Sequence, residues 1–413
     1  MLPVTLLLHL VVRAQPDAKY LWNADNEFTP ADLPNSVALG EVVLLTEYYG
    51  QMPCLNCGSP KGSHGHQWCN GGIPQLANKT AHMEAMERDM AARVPSNYSG
   101  WIIHDWESWV VPWELSGDGH ADGGGGRFQA YQNASVALAR SQNPSASEAD
   151  LEKIAAKAYT EAGIDLLVLT VQTTKRLRPN IAGVGFYGLP HKQYWPTPEL
   201  NKTQQGWNDK LLRLWKEVTV ILPSIYMPYE SDCTDSPITN NTGGCVPFAH
   251  NKAYVDAGIA EAVRISKLVT PSPPVVPYVW YLYHGEPAPD PHAGHLLTKK
   301  DAMLQFHYPL TNPAVQQVII WGDDHHNASR VAALKTWFKT NAAAFGEDDG
   351  DADDGAHKQG QREEMPDSSS RQGQQGQQGQ QQRGQRSATG DTGVPHPPIP
   401  RGGPIPPYTR CTL

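Results

Sequence analysis

Two carboxylates, Asp105 and Glu107, flank Trp106 in "SGWIIHDWESW" (residues 99–109), with the apolar run Trp101 to Ile103 before them and Trp109 after. In a β-strand residues i and i+2 point to the same face. The spacing therefore predicts two acids projecting together at the end of a strand. Like charges held close raise the pKa of one partner, which keeps a proton available for general acid work. A D-x-E pair alone is a weak signal, because solvated loop acids and ion-pair partners show the same spacing.

The elements that must position this pair alternate along the chain. Strand-like apolar runs are "EVVLLTEYY" (41–49), "GWIIHDW", "IDLLVLTVQ", "TVILPSIYM", "VVPYVWYLY" and "VQQVIIWGDD". Between them lie helix-like segments: "TAHMEAMERDMAARV" (80–94), a segment from Ser147 through Leu151, Ile154, Ala155 and Ala158 that stops at Gly163, "WNDKLLRLWKEV", "AYVDAGIAEAVRISKLV" and "SRVAALKTWFKTNAAA". Ser147 with Asp150 three residues on predicts the helix cap. Strands apolar on both faces, each separated by a helix, indicate a parallel sheet covered on both sides. With six or more such units and no glycine-rich dinucleotide fingerprint, the fold predicted is a (β/α) TIM-like barrel, a doubly wound open sheet being the alternative. A barrel of this kind carries its active site where the strands end.

The chain has 413 residues, 39% hydrophobic, enough for one large domain. Its 12 Trp and 16 Tyr far outnumber its 7 Phe, a bias that suits either amphipathic core caps or surfaces facing sugars. A net charge of −9 gives no nucleic-acid footprint. Six of the acids sit in "EDDGDADD" (347–354), at the start of a Gln/Gly-rich and then proline-rich tail that is expected to be disordered. The tail's P-x-x-P pattern could dock an SH3 domain, but a flexible spacer is the simpler reading.

"MLPVTLLLHLVVRAQP" reads as a cleaved signal peptide over residues 1–14, although it lacks a basic residue at its start. The barrel would then occupy 15–346 and the tail 347–413. No other apolar run approaches a membrane span. Sequons at Asn78, Asn97, Asn133, Asn201, Asn240 and Asn327 fit passage through a secretory pathway, to the outside or to a lysosome-like compartment. Six cysteines there imply disulfides. Cys233 and Cys245 bracket a Pro/Gly/Asn-rich loop and are expected to pair. Cys54, Cys57 and Cys69 lie with His64 and His66 in a stretch that also reads as a zinc site; disulfides are preferred, with Cys411 among the candidate partners and the connectivity open.

Two acids side by side on one strand cannot flank a glycosidic bond, as the carboxyls ~5 to 9.5 Å apart in ordinary glycosidases do. They suit substrate-assisted hydrolysis, in which the 2-acetamido group of an N-acetylhexosamine attacks its own anomeric carbon while one acid protonates the leaving oxygen. Such chemistry needs no cofactor and no metal; "GDDHH" (322–326), which could bind one, reads as loop acids after a strand.

"SGWIIHDWESW" also resembles the "SGLAVIDWEEW" segment of the hyaluronidases, glycoside hydrolase family 56. "LWNADNE", "NGGIPQLANKTAH", "LRPNIAGVGFYGLP", "WNDKLLRLWKE", "LPSIYMP", "AEAVRIS" and "VIIWGD" resemble further hyaluronidase segments in the same order, over roughly residues 20 to 345. The resemblance implies a distorted barrel with a substrate groove and retaining, substrate-assisted cleavage of β-1,4 linkages at N-acetylhexosamine in hyaluronan or chondroitin. It assigns Glu107 as acid/base, Asp105 as partner of the acetamide, Tyr187 and Tyr226 as tyrosines around that acetamide, and Trp321 as a wall of the sugar site. Trp106 and Trp109 are further candidates for substrate contact.

The sequence departs from the family pattern at several positions. Val110 and Gly258 stand where the family has arginines, Met52 where it has a tyrosine, and His191 where it has an aspartate. Thr29, Val331 and Lys192 align with family disulfide cysteines. Arginines pair bidentately with carboxylates, so the reaction type is better supported than the polyanion as substrate. A catalytically weak or inactive glycan-binding barrel is the alternative, opposed by retention of the acid pair. A chitin-type enzyme is disfavoured, because Ile103 and Trp101 precede Asp105 where that class carries a row of acids.

Overall fold

Alternate residues of each strand face two different apolar environments, the inside of a ring and a layer of helices. The computed structural model describes residues 18–24, 28–45, 49–55, 70–116, 129–194, 199–233, 245–284, 293–322 and 328–346. All of these fall within one unit, Met1–Gly350 with Arg410–Leu413; the other unit, Asp351–Thr409, lies outside them. So do the expected signal peptide and tail.

The strands are β1 (Tyr20–Ala24), β2 (Val37–Leu39), β3 (Val42–Leu45), β4 (Trp101–His104), β5 (Gly183–Phe186), β6 (Glu230–Ser231), β7 (Cys245–Val246), β8 (Tyr278–Trp280) and β9 (Val318–Gly322). Parallel pairing gives the order β2-β1-β9-β8 in one sheet and β3-β4-β5 in another. The gap between β5 and β8 is filled by residues 219–226. Thr219 donates to Val184 O at 2.9 Å, and parallel bridges join Ile221 to Val275 and Ser224 to Tyr278. On the other side β2 and β3 form one course that turns at Gly40, φ +78°, its first half paired with β1 and its second with β4. The ring is closed and parallel, so the expected (β/α) barrel is what the chain forms, with every strand of the ring ending at the same mouth; β6 and β7 pair with each other in a separate two-stranded sheet.

The interior holds Leu21, Ala38, Trp101, Ile103, Val220, Leu222, Val276, Tyr278 and Ile319 in one buried cluster. Their strand neighbours Ile102, Val184, Phe186, Ile221, Val279 and Ile320 point outward. A tryptophan fits inside so narrow a ring because β5 offers it no side chain: a Cβ at Gly183 would lie 2.7 Å from the Trp101 ring.

Outside the ring run α1 (Lys79–Arg93), α2 (Gln129–Gln142), α3 (Glu148–Leu177), α4 (Lys202–Asp209), α5 (Leu212–Trp215), α6 (Phe248–Ser266), α7 (Lys299–Ala302) and α8 (Ala328–Thr340). The expected cap is present, Ser147 accepting from Asp150 N at 3.2 Å. Two sequence expectations fail in α3. The helix does not stop at Gly163, and "IDLLVLTVQ" is its second half rather than a strand. The run is apolar because it is buried between barrel and neighbouring helices, which its β-branched residues disguised as strand propensity. Gly163 is there for close approach: a Cβ would sit 2.5 Å from Val111 Cγ1 and 3.2 Å from the Trp109 ring.

Four side chains of α3 also anchor distant segments. Tyr159 OH donates to Val110 O at 3.0 Å, and Thr160 Oγ1 accepts from Trp113 N at 3.1 Å. Further along, His82 Nε2 meets Thr170 Oγ1 at 2.9 Å and His104 Nε2 meets Thr174 Oγ1 at 2.8 Å. Gln51 N donates to His82 Nδ1, and Thr170 gives its own proton to Leu166 O, so His82 is neutral with its proton on Nε2.

Cys233 and Cys245 form a disulfide, Cα atoms 5.4 Å apart. Cys54 is also disulfide-bonded, which removes it from any zinc-ligand set. Cys57, Cys69, Cys411, His64 and His66 lie outside the described residues, as do Asn240 and Asn327. Asn97 and Asn133 are exposed; Asn78 and Asn201 cap α1 and α4 through their side chains. Among the described residues no helix is long and apolar enough to cross a membrane.

Candidate active site

At the mouth, β4 hands over to the acid pair. His104 O accepts from Tyr187 N at 2.9 Å and Asp105 N donates to Leu45 O at 2.9 Å, so strand-type bonding reaches one residue past the end of β4. Asp105 follows Trp101 and Ile103 in alternation and inherits their inward direction. The sequence placed both acids at the end of the strand itself; here the strand closes at His104, and Asp105, Trp106 and Glu107 lie in the loop that follows. Asp105 is half-buried, its Oδ1 shielded from solvent, whereas Glu107 is exposed. One carboxylate therefore faces into the barrel mouth and the other faces water.

Around Asp105 stand three tyrosines from different courses of the ring. Tyr187 follows β5, Tyr226 ends the 219–226 segment and Tyr278 opens β8. The Tyr187 ring lies 5.7 Å from that of Tyr226 and 5.0 Å, edge-on, from that of Tyr278. Burial pushes all three phenols well above their ordinary pKa, and nearby carboxylates push the same way: Glu107 and then Asp105 for Tyr187, Asp105 for Tyr226 and Tyr278. They remain protonated, neutral hydrogen-bond donors beside the acids. Tyr187 OH donates to Ser224 Oγ at 3.4 Å, and Asn23 Nδ2, near the end of β1, donates to Tyr278 OH at 3.1 Å.

Tryptophans extend this wall. Trp321 on β9 stacks on Tyr226 and meets Trp280 of β8 edge-on at 4.8 Å. His284 lies 5.7 Å from Tyr226 and 5.6 Å from Trp280. Trp321 and Trp280 are half-buried, leaving ring surface at the mouth.

Trp109 takes no part in such a wall. It is 1% exposed, its Nε1 donates to Pro53 O at 2.8 Å, and its ring packs edge-on against Tyr159. Its place is in the core beneath the loop that carries Glu107, which corrects the expectation of substrate contact. Trp106 is half-buried, 5.8 Å from Trp109. Tyr278, Trp280, Asn23 and His284 were not singled out from sequence. The signal for the first two was present, since "YVW" puts them at i and i+2 of an apolar strand ending at the mouth.

The family-divergent positions are structurally occupied. Met52 is core, and the Val110 carbonyl accepts from Ser116 Oγ at 2.8 Å. Gly258 faces Ile225 from α6, where a Cβ would come within 2.9 Å of Ile225 Cγ2. His191 ties α4 to the loop that carries the acids, its backbone N donating to Asn208 Oδ1 at 2.9 Å and its Nε2 lying 3.2 Å from Val111 O.

A closed parallel barrel with two carboxylates at its mouth, walled by tyrosine and tryptophan, defines a barrel enzyme of the glycoside hydrolase class. Residues 57–339 match the model of glycoside hydrolase family 56, described as hyaluronidase, and the chain belongs to that family as a hyaluronidase-type glycoside hydrolase. A hyaluronidase of Polybia paulista is 25% identical over 314 residues, covering 74% of this chain and 97% of that protein. A chondroitin hydrolase of Caenorhabditis elegans is 29% identical, covering 65% of this chain and 54% of that protein. Bee venom hyaluronidase, solved in complex with a hyaluronic acid tetramer, superposes with a TM-score of 0.63 at 21% identity, covering 79% of this chain and 97% of that one, and shares the fold.

Proposed function

We propose that the protein is a secreted endo-β-N-acetylhexosaminidase that hydrolyses β-1,4 linkages at N-acetylhexosamine in hyaluronan or chondroitin, with retention and with the substrate's acetamide as nucleophile. Glu107, facing solvent, protonates the leaving oxygen and then activates water. Asp105 orients the acetamide and stabilises the positive charge that develops on it, while Tyr187 and Tyr226 hold it by neutral hydrogen bonds. Trp321 carries the sugar face. The observation that supports this most is the unequal setting of the acids, Asp105 half-buried beside three protonated tyrosines and Glu107 open to water. That is the arrangement needed when one acid must contact a substrate group and the other must exchange protons with solvent.

The relatives bear on substrate, since the polymers in their names, hyaluronan and chondroitin, both alternate N-acetylhexosamine with a uronic acid. Secretion, to the outside or to a lysosome-like compartment, rests on the apolar leader and on sequon asparagines such as Asn97 and Asn133, exposed at the surface. In this reading residues 1–14 are a leader, 15–346 the catalytic barrel and 347–413 a spacer.

Product analysis tests it. The purified protein is incubated with hyaluronan, desulfated chondroitin and chitin oligosaccharides from acidic to neutral pH, beside Glu107→Gln. Even-numbered oligosaccharides with N-acetylhexosamine at the reducing end are expected from the wild type, with at least ~10²-fold less from the variant. Undiminished cleavage by Glu107→Gln would remove the acid/base assignment, and glycan binding without cleavage by the wild type would replace the enzyme with a lectin-like barrel.

A further inference from the structure

The loop that leaves β5 through Tyr187 runs over residues 187–194 along the rim of the mouth. It is fastened at both sides. His191 Nε2 lies 3.2 Å from Val111 O, on the loop that carries the acids, and Tyr194 OH donates to Asn251 Oδ1 at 2.7 Å, on α6. Between these fastenings stands Lys192, half-buried, its Nζ donating to the Gln193 carbonyl and lying 5.5 Å from the centroid of the Tyr254 ring. That ring is continuous with the wall of the site, because Tyr254 OH donates to Ser224 O at 3.4 Å and Ser224 Oγ accepts from Tyr187 OH.

An ammonium held over an aromatic face is kept in place by the ring quadrupole. Long lysines on open surfaces lose their affinity for an anion to side-chain entropy. Here that cost is met in the folded protein, and partial burial strengthens the attraction for a carboxylate. Burial lowers the Lys192 pKa to about 8, with Glu199 opposing the shift, so the amine stays cationic at neutral and acidic pH. Titratable neighbours are Glu199, whose charge acts on Lys192, His191 on the loop, and His250 of α6, whose ring lies 4.9 Å from that of Tyr194.

We propose that Lys192 is a specificity-determining residue that contacts a uronate carboxylate of the bound polymer, on the rim between the acid-bearing loop and α6. The inference rests on the proposed glycosaminoglycan hydrolase reading and deepens it, naming one group that would select an acidic polymer over a neutral one. Lysine supplies a point charge rather than a planar fork, so the contact should tolerate either hyaluronan or chondroitin, which share the carboxylate.

The test compares full-length wild type, Lys192→Gln and Lys192→Arg on hyaluronan. Lys192→Gln is expected to raise KM roughly tenfold, the worth of a charge-assisted hydrogen bond, with kcat within about twofold, and Lys192→Arg should restore most of the affinity. Binding of carboxyl-methylated hyaluronan oligosaccharides should be equal in wild type and Lys192→Gln. An unchanged KM in a folded Lys192→Gln protein would overturn the assignment. So would equal loss of affinity for native and methylated oligosaccharides, which would mark a purely structural role. A wild type that cleaves no glycosaminoglycan would instead overturn the proposed function, independently of the variants.

Discussion

Tyr226 and Trp321 lie face to face at the barrel mouth, ring centroids 6.0 Å apart and planes at 21°. Trp280 buttresses Trp321 edge-on, so the indole is backed on two sides and leaves its remaining surface open at the mouth. Removing a ring of that size from a binding wall costs roughly 1.5–3 kcal/mol. Trp321→Ala is expected to lower kcat/KM on hyaluronan by roughly 10- to 100-fold, and Trp321→Phe should retain most of it. Equal kinetics for wild type and Trp321→Ala would show that the stack is only structural.

Asp105→Asn keeps the shape of the side chain but removes the charge that would stabilise a cationic acetamide. A loss of at least ~10² in kcat with little change in KM is expected, because the interaction grows in the transition state. Steady-state kinetics on hyaluronan decide it: a rise in KM alone would make Asp105 a binding residue.

Two buried histidines set an acid limit to stability. Burial lowers His82 from 6.5 to about 4 and His104 to about 3, the latter with a contribution from His82. Below pH 6.5 the unfolded chain takes up protons that the folded chain refuses, so stability is full above 6.5 and falls as pH drops toward 4. The slope is about 1.4 kcal/mol per pH unit for each histidine. Melting temperatures between pH 7 and 4 should show this decline, and His104→Gln, which cannot titrate, should flatten it. A variant with the wild-type slope would place the acid sensitivity elsewhere.

Gly163→Ala puts a methyl group 2.5 Å from Val111 Cγ1. Overpacking of this kind costs about 1–3 kcal/mol. Denaturant unfolding should report that loss, and because Val111 and Trp109 lie under the loop carrying Glu107, activity should fall as well. An alanine variant as stable as the wild type would mean that the loop shifts freely over α3.

Much of this was legible because the barrel writes itself as apolar runs. Trp101 to Ile103 announced β4 and "VIIWG" announced β9, since both faces of a parallel strand are buried and no polar alternation interrupts them. The acid pair was found for the same reason, as the first charges after such a run. What the sequence hid was depth. Trp109 and Trp321 are the same residue type near strand ends, and only packing makes one core and the other wall. "IDLLVLTVQ" failed in a related way: a helix buried on most sides loses the polar face by which helices are recognised. Asn23 and His284 were invisible because their significance lies in neighbours brought from elsewhere in the chain.

The thirty residues of α3 work as a keel. Val110 and Trp113 attach near its middle, Trp109 and Val111 lean on it at Gly163, and His82 and His104 attach a few turns on. All of these fittings depend on a shared rotational phase, since one residue is about 100° of helix. A single inserted residue between Gly163 and Thr170 would leave every local helical bond intact. It would nevertheless turn Thr170 and Thr174 away from both histidines while the acid-bearing loop stayed seated. Evolution can therefore vary the exposed faces of this helix widely, but it can scarcely change the number of residues between Tyr159 and Thr174.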